Sequence, residues 1–137
     1  MNTTITRHQL EIDRRVSHTA ALFGVHFPMQ LEPYVYSVTS ELANEYHGGY
    51  WQFYTLSNGA FYMAPVSDRN FRVRCPNAYE GTLSPDAFGI TCCLYTYSNL
   101  SFDRNETLAQ ECARLFHSLR EYSMEHEEVG AILRAID

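Results

Sequence analysis

Apolar residues recur along this chain first at helical spacing, then at every second position, then at helical spacing again. Between Glu11 and Gly24 they fall at Val16, Ala20, Leu22 and Phe23, with Asp13 as a candidate N-cap and Gly24 at a stop position, which predicts a short helix. His26 to Pro33 reads as a loop. Pro33 suits the first turn of a second helix running to about Asn44, with Tyr34, Val38 and Leu42 on one stripe. Gly48-Gly49 separates this helix from the extended part.

From Tyr46 to Pro65 the chain holds seven of its nineteen aromatic residues and no Asp, Glu, Lys or Arg, so neither face of this stretch reads as plain solvated surface. Two aromatic runs, Tyr50–Leu56 and Ala60–Ala64, flank Asn58-Gly59, the dipeptide that best tolerates a type I′ turn, and predict a β-hairpin. With Asn58 and Gly59 as the two turn residues, Leu56 faces Phe61, Thr55 faces Tyr62, Tyr54 faces Met63 and Phe53 faces Ala64. One face then carries Tyr50, Gln52, Tyr54, Leu56, Phe61 and Met63, and the other Trp51, Phe53, Thr55, Ala60, Tyr62 and Ala64. Such a hairpin sits at the centre of a covered sheet, or else offers one aromatic face to a partner.

Phe71, Val73 and Cys75 alternate with Arg72 and Arg74, which predicts a strand extending the hairpin into a three-stranded meander; Tyr79–Leu83 is a candidate fourth. Ser84-Pro85-Asp86 is a helix start, with Ser84 as N-cap, and the helix to about Ser98 presents Ala87, Ile90, Leu94 and Tyr97. Its β-branched and aromatic content keeps a strand as the alternative. Asp103 and Glu106 form a candidate N-terminal box for an amphipathic helix with Leu108, Cys112, Leu115, Phe116, Leu119 and Tyr122. After a break near His126, Val129, Ile132, Leu133 and Ile136 line a last helix, in which Gly130 suggests close packing. The class is α+β in one domain, residues 1–137: a small antiparallel sheet of three or four strands with helices before and after it.

Charge and chemistry narrow the function. All ten positive side chains are Arg, against sixteen Asp and Glu, for a net charge of −6. That argues against a broad basic surface for nucleic acid, and against stable sequence-specific DNA binding with it. It also disfavours a DNA mimic: a duplex carries one negative charge per ~1.7 Å, so imitating ten base pairs takes on the order of twenty, and here the acids are interleaved with Arg. No segment approaches the ~20 apolar residues of a membrane span, and the expected location is cytoplasmic. Cys75, Cys92, Cys93 and Cys112 show no paired spacing and read as reduced, mostly buried small hydrophobes.

Dinucleotide, P-loop, nucleophile-elbow and zinc-protease motifs are all missing, and the six His are scattered without ligand spacing. No catalytic residue, metal ligand or cofactor is expected. A catalytic group assembled by the fold alone would bring His47 near Cys92, Cys93 or Cys112. Arg72 and Arg74 could stack on hairpin aromatics, or contact phosphates beside bases stacked on Trp51 or Tyr62, the single-stranded nucleic-acid alternative. The candidate partner-binding residues are therefore Trp51, Tyr54, Tyr62, Arg72 and Arg74, with Asn58 and Gly59 setting the turn.

The stretch HGGYWQFYTLSNGAFYMAP resembles the hallmark GGYW…Y.LSNGGFYMAP segment of the ArdB/KlcA antirestriction family, with Ala60 where a second Gly is common. Leu22-Phe23-Gly24 is similar to that family's LFG element, and EHEEVGAILRAID to its terminus; His18-Thr19-Ala20 replaces a more apolar, Pro-containing run. The likeness runs from about Arg14 to Asp137. It implies a bacterial, plasmid- or island-borne protein that relieves type I restriction of incoming DNA, in a family without catalytic residues. The implied partner is the type I restriction-modification system, met directly or indirectly.

Overall fold

The structure, a computed structural model, describes residues 4–46 and 48–137. It is α+β. In chain order come β1 (Arg7–Gln9), a 3-10 turn (Ile12–Arg14), α1 (Arg15–Phe23), a π-helical turn (Phe27–Leu31), α2 (Glu32–Leu42), β2 (Trp51–Leu56), β3 (Phe61–Pro65), β4 (Phe71–Arg74), β5 (Glu80–Leu83), α3 (Pro85–Leu100), α4 (Glu106–Ser123) and α5 (Val129–Ile136). The strands form two antiparallel sheets, β1-β2-β3 and β4-β5.

Helix α3 starts as its sequence demands: the Ser84 side chain accepts the Ala87 N–H, Pro85 occupies the first turn, and Asp86 sits at the positive end of the helix dipole. It is buried on nearly every side, from Ala87 through Leu94 and again at Thr96 and Tyr97. The Thr91 and Thr96 hydroxyls donate to the Ala87 and Cys92 carbonyls, so these interior polar groups are satisfied within the helix.

α3 lies along the outer edge of β3, and Gly89 permits the approach. A Cβ at Gly89 would come within 2.5 Å of Ala64 Cα, Ala64 Cβ and the Met63 carbonyl oxygen. The even-numbered residues of the hairpin make its ladder bonds, as in Leu56 N–H to Ala60 O and Val66 N–H to Tyr50 O. Phe61 and Met63 therefore turn their backbone groups outward, where the Tyr97 hydroxyl donates to Phe61 O at 2.7 Å and Cys93 Sγ lies 3.5 Å from Met63 N and 3.6 Å from Met63 O. Pro65 has no N–H to satisfy.

This helix occupies the place assigned to a third meander strand. β4 pairs with β5 in a separate sheet, and the third strand of the hairpin sheet is β1, with Arg7 opposite Leu56 and Gln9 opposite Tyr54. β1 is Arg-His-Gln and wholly exposed, so no apolar alternation announces it.

The hairpin register differs from the predicted one by a residue. Tyr54 faces Tyr62, Phe53 faces Met63 and Thr55 faces Phe61. The loop has three residues, Ser57-Asn58-Gly59, and of these Gly59 takes positive φ, +87°. Asn58 contributes through its amide: Oδ1 accepts the Ala60 N–H, and Nδ2 donates to the Ser118 carbonyl of α4. One face of the hairpin thus carries Trp51, Phe53, Phe61 and Met63, the other Gln52, Tyr54 and Tyr62.

Other expectations shift at element ends. The His26–Pro33 segment is π-helical at Phe27–Leu31 and buries Phe27 and Leu31. α4 is capped by Asn105, whose side chain accepts the Leu108 N–H, while Asp103 supports Asn105 from outside the helix. Asp13 makes no capping bond for α1, and Val16 and Ala20 face outward although their spacing suggested a buried stripe. A Cβ at Gly130 would meet only the Arg134 side chain, at 3.5 Å, so close packing belongs to Gly89 instead.

The two glycines should respond oppositely to the same substitution. Gly89→Ala should destabilise the protein by about 1–3 kcal/mol through overpacking against backbone, whereas Gly130→Ala should stabilise it by up to about 1 kcal/mol through helix propensity. Urea midpoints of the two variants test this, and a stable Gly89→Ala would mean that α3 does not sit on the strand edge.

Candidate functional site

The Gln52-Tyr54-Tyr62 face of the sheet meets three other elements at a polar cluster. Register places Arg7 of β1 beside Tyr54, and its guanidinium lies over that ring at 4.3 Å. Tyr54 and Tyr62 stack with ring centroids 5.0 Å apart, and the Tyr54 hydroxyl donates to Gln52 Oε1 at 2.7 Å. Asp86, at the first turn of α3, is the hub. Its Oδ1 accepts from Arg7 Nη1 at 2.9 Å and from the Tyr62 hydroxyl at 2.7 Å, while Oδ2 lies 2.9 Å from His126 Nε2.

His126 sits in the turn between α4 and α5, with Nδ1 accepting the Glu128 N–H at 3.0 Å. Glu128 then reaches Ser84, accepting from its backbone N–H at 3.0 Å and from its hydroxyl. Burial works to raise the Asp86 pKa, but the hydrogen bonds from His126 and Tyr62 and the charge of Arg7 outweigh it and hold the carboxyl below its ordinary range. The bond to Asp86 raises His126 against the opposing effect of burial. Tyr62 is pushed well up, by burial first and then by Asp86.

The Tyr, Asp, His and Arg groups of the cluster are turned on one another. Both ring nitrogens of His126 are engaged by protein groups, and every oxygen of Asp86 is occupied. The cluster works as a clasp: it ties β1, β3, the start of α3 and the α4–α5 turn together. All four thiols are free and buried, and burial pushes Cys93 and Cys112 up to about 12. Among the described residues no three His, Cys, Asp or Glu side chains converge to hold a metal ion. His47 lies outside the described residues.

The candidate partner-binding residues are dispersed. Trp51 is buried, donating its indole N–H to the Tyr46 hydroxyl and packing edge-on to Tyr36 and Tyr46. Tyr62 is fully buried in the clasp. Tyr54 is half-buried beneath Arg7. Arg72 and Arg74 are exposed on β4, where Arg74 pairs with Glu80 at 2.8 Å. The cations stacked on hairpin aromatics are not these two but Arg7 and Arg15, the latter 4.4 Å from the Phe53 ring centre. Arg7, Asp86 and His126 carried no joint signal in the sequence. Asp86 was legible as a helix-start residue and His126 as a helix break, and their partnership arises only on folding.

Comparison with known proteins aligns with this architecture. A family model described as "Antirestriction protein" matches residues 44–137. The chain is 42% identical over 108 residues to an antirestriction protein KlcA of Escherichia coli, covering 77% of this chain and 74% of the relative. To a second KlcA of Escherichia coli it is 35% identical over 126 residues, 90% and 89% of the two. Over 100% of both chains it superimposes with a TM-score of 0.91, at 33% identity, on a solved structure from work on the KlcA and ArdB proteins. Those proteins are described as having a novel fold and antirestriction activity against type I DNA restriction systems in vivo but not in vitro.

The clasp should be visible in titration. His126 should titrate above the ordinary 6.5, its Nδ1 releasing the Glu128 N–H when it takes up the proton, and Asp86→Asn should bring it down. A raised His value contributes stability that is complete below 6.5 and lost as pH rises through the folded value. A depressed Asp value contributes stability present above 3.8 and lost as pH falls through the folded one. The deficit of Asp86→Asn, about 2 kcal/mol for a hydrogen-bonded charge, should therefore be largest between these limits and narrow on either side. Ring-proton NMR and urea unfolding from pH 3 to 9 check both, and a deficit independent of pH would remove the charged clasp.

Proposed function

The chain belongs to the antirestriction protein family, and from that premise we propose that it relieves type I restriction of incoming unmodified DNA in the cytoplasm, by binding rather than catalysis and without imitating DNA. The observation that carries this is the full-length match to the KlcA and ArdB structure. Activity of those proteins in vivo but not in vitro supports a route through a further cellular component, with a protein partner in place of direct competition for the nuclease's DNA site.

The acidic side chains support the part about mimicry. Glu121, Glu125, Glu127 and Glu128 are the densest acidic group, yet two of them serve the fold: Glu125 accepts the Ile5 N–H and Glu128 holds Ser84. What is left on that surface is far short of a duplex, which presents one charge per ~1.7 Å. Single-stranded nucleic-acid binding is less well supported, because the proposed stacking platforms Trp51 and Tyr62 are interior. Tyr54, Arg72 and Arg74 remain accessible to a partner.

Challenge of restricting cells with unmodified DNA separates the readings. Glu41, Glu45, Glu121 and Glu127 are exposed and make no side-chain hydrogen bond among the described residues, so a fourfold Glu→Gln variant removes charge without disturbing the fold. It should protect as wild type does; loss of most protection in this variant would restore mimicry. Trp51→Ala and Tyr62→Ala should lose protection together with about 3–5 kcal/mol of stability, the usual cost of emptying a buried aromatic site.

A further inference from the structure

We propose that the groove between α1, the π-helical turn and β2 is a docking site for a protein partner that presents a bulky apolar side chain next to a carboxylate. The groove encloses about 340 Å³, and Val16, Ala20, Gly24, Phe27, Pro28 and Phe53 give it an apolar wall. Its rim is apolar too. Val16 is 80% exposed on its wall, and Met29, next to Pro28 in sequence, is 70% exposed, so apolar surface continues outward from the groove. Ala20 lies one turn from Val16 on the same outward face of α1.

Arg15 supplies the polar half of the specificity. Its Nη2 donates to the Tyr50 hydroxyl and to the Trp51 carbonyl, each at 2.9 Å, and its guanidinium lies over Phe53 and Tyr50. The cation is thus pinned in one orientation. Among the described residues no carboxylate comes within ion-pairing distance of it, and its buried Nε finds no acceptor. An immobilised, uncompensated guanidinium at the edge of an apolar groove attracts an anion, and Arg with Tyr beside it is the composition that concentrates binding energy at protein interfaces.

The sign and number of charges identify the occupant. Glu32 also lines the groove and the chain carries a net charge of −6, so a polyphosphate backbone, with its many charges, is repelled more strongly than one carboxylate reaching Arg15. The occupant is therefore a protein segment with an acidic and a large apolar residue side by side. This rests on the reading of the chain as a protein-binding antirestriction factor, but the groove can be tested apart from it.

The probe is the peptide Ac-Gly-Leu-Glu-Gly-NH2 with its Gln counterpart, titrated into the labelled full chain and followed by amide NMR. Shifts should concentrate at Val16, Ala20, Gly24 and Phe53, and affinity should fall roughly tenfold with the Gln peptide, the scale of one charged hydrogen bond. Arg15→Gln should abolish that difference. Dispersed shifts, equal affinity for the two peptides, or displacement of the peptide by a DNA oligonucleotide would overturn the proposal. In restricting cells Val16→Glu and Ala20→Glu, both at exposed positions, should lose protection while Phe102→Glu, exposed between α3 and α4, keeps it. Protection by all three would sink the groove and leave the antirestriction reading intact. Failure of the wild type to protect would sink that reading, with the peptide titration still deciding the groove.

Discussion

A buried helix laid against the open edge of a strand, through a residue with no side chain, sets the plan of this molecule. An edge strand needs its outward backbone groups covered or paired. Here Tyr97 and Cys93 of α3 cover them, and Gly89 lets the helix axis come close enough for those side chains to reach. Once that edge is taken, the hairpin can grow only on its other side, where β1 pairs with β2, and β4 and β5 must pair with each other. Because α3 is buried on nearly every side, α2, α4, α5 and both sheets are recruited to surround it.

Local chemistry made the helices legible. Ser84-Pro85-Asp86 starts α3 by satisfying orphan N–H groups within one turn, and the stripe from Leu108 to Leu119 gives α4 a buried face with no distant information needed. The sheet was less legible because its decisions are not local. Asn58-Gly59 is compatible with loops of two or three residues; the three-residue loop places the Asn58 amide against the Ser118 carbonyl, sixty residues away. β1 shows no alternation because a strand can be held by backbone pairing and one well-anchored Arg.

The same distinction runs through the candidate site. Asp86 and His126 are forty residues apart, and each made sense alone as a helix-terminus residue. The stretch Tyr46–Pro65, which carries the family resemblance, supplies much of the core: Trp51, Phe53, Phe61, Tyr62, Met63 and Ala64 are all buried. A sequence hallmark of this kind reports how the chain folds. Residues turned into the core contact no partner, which is why the hallmark names a family and leaves its partner open.

Wrapping a helix buried on nearly every side has a cost in time as well as in space. The ribosome makes the chain from the N-terminus, and 37 residues, including α4 and α5, follow Leu100. At roughly 5–20 residues per second, α3 waits about 2–7 s for the helices that shield it. During that interval the faces that α4 and α5 will cover stay open, while the hairpin, α2 and β5, already made, are there to cover the rest. Synthesis is thus the interval in which the most apolar surface of this helix stands uncovered.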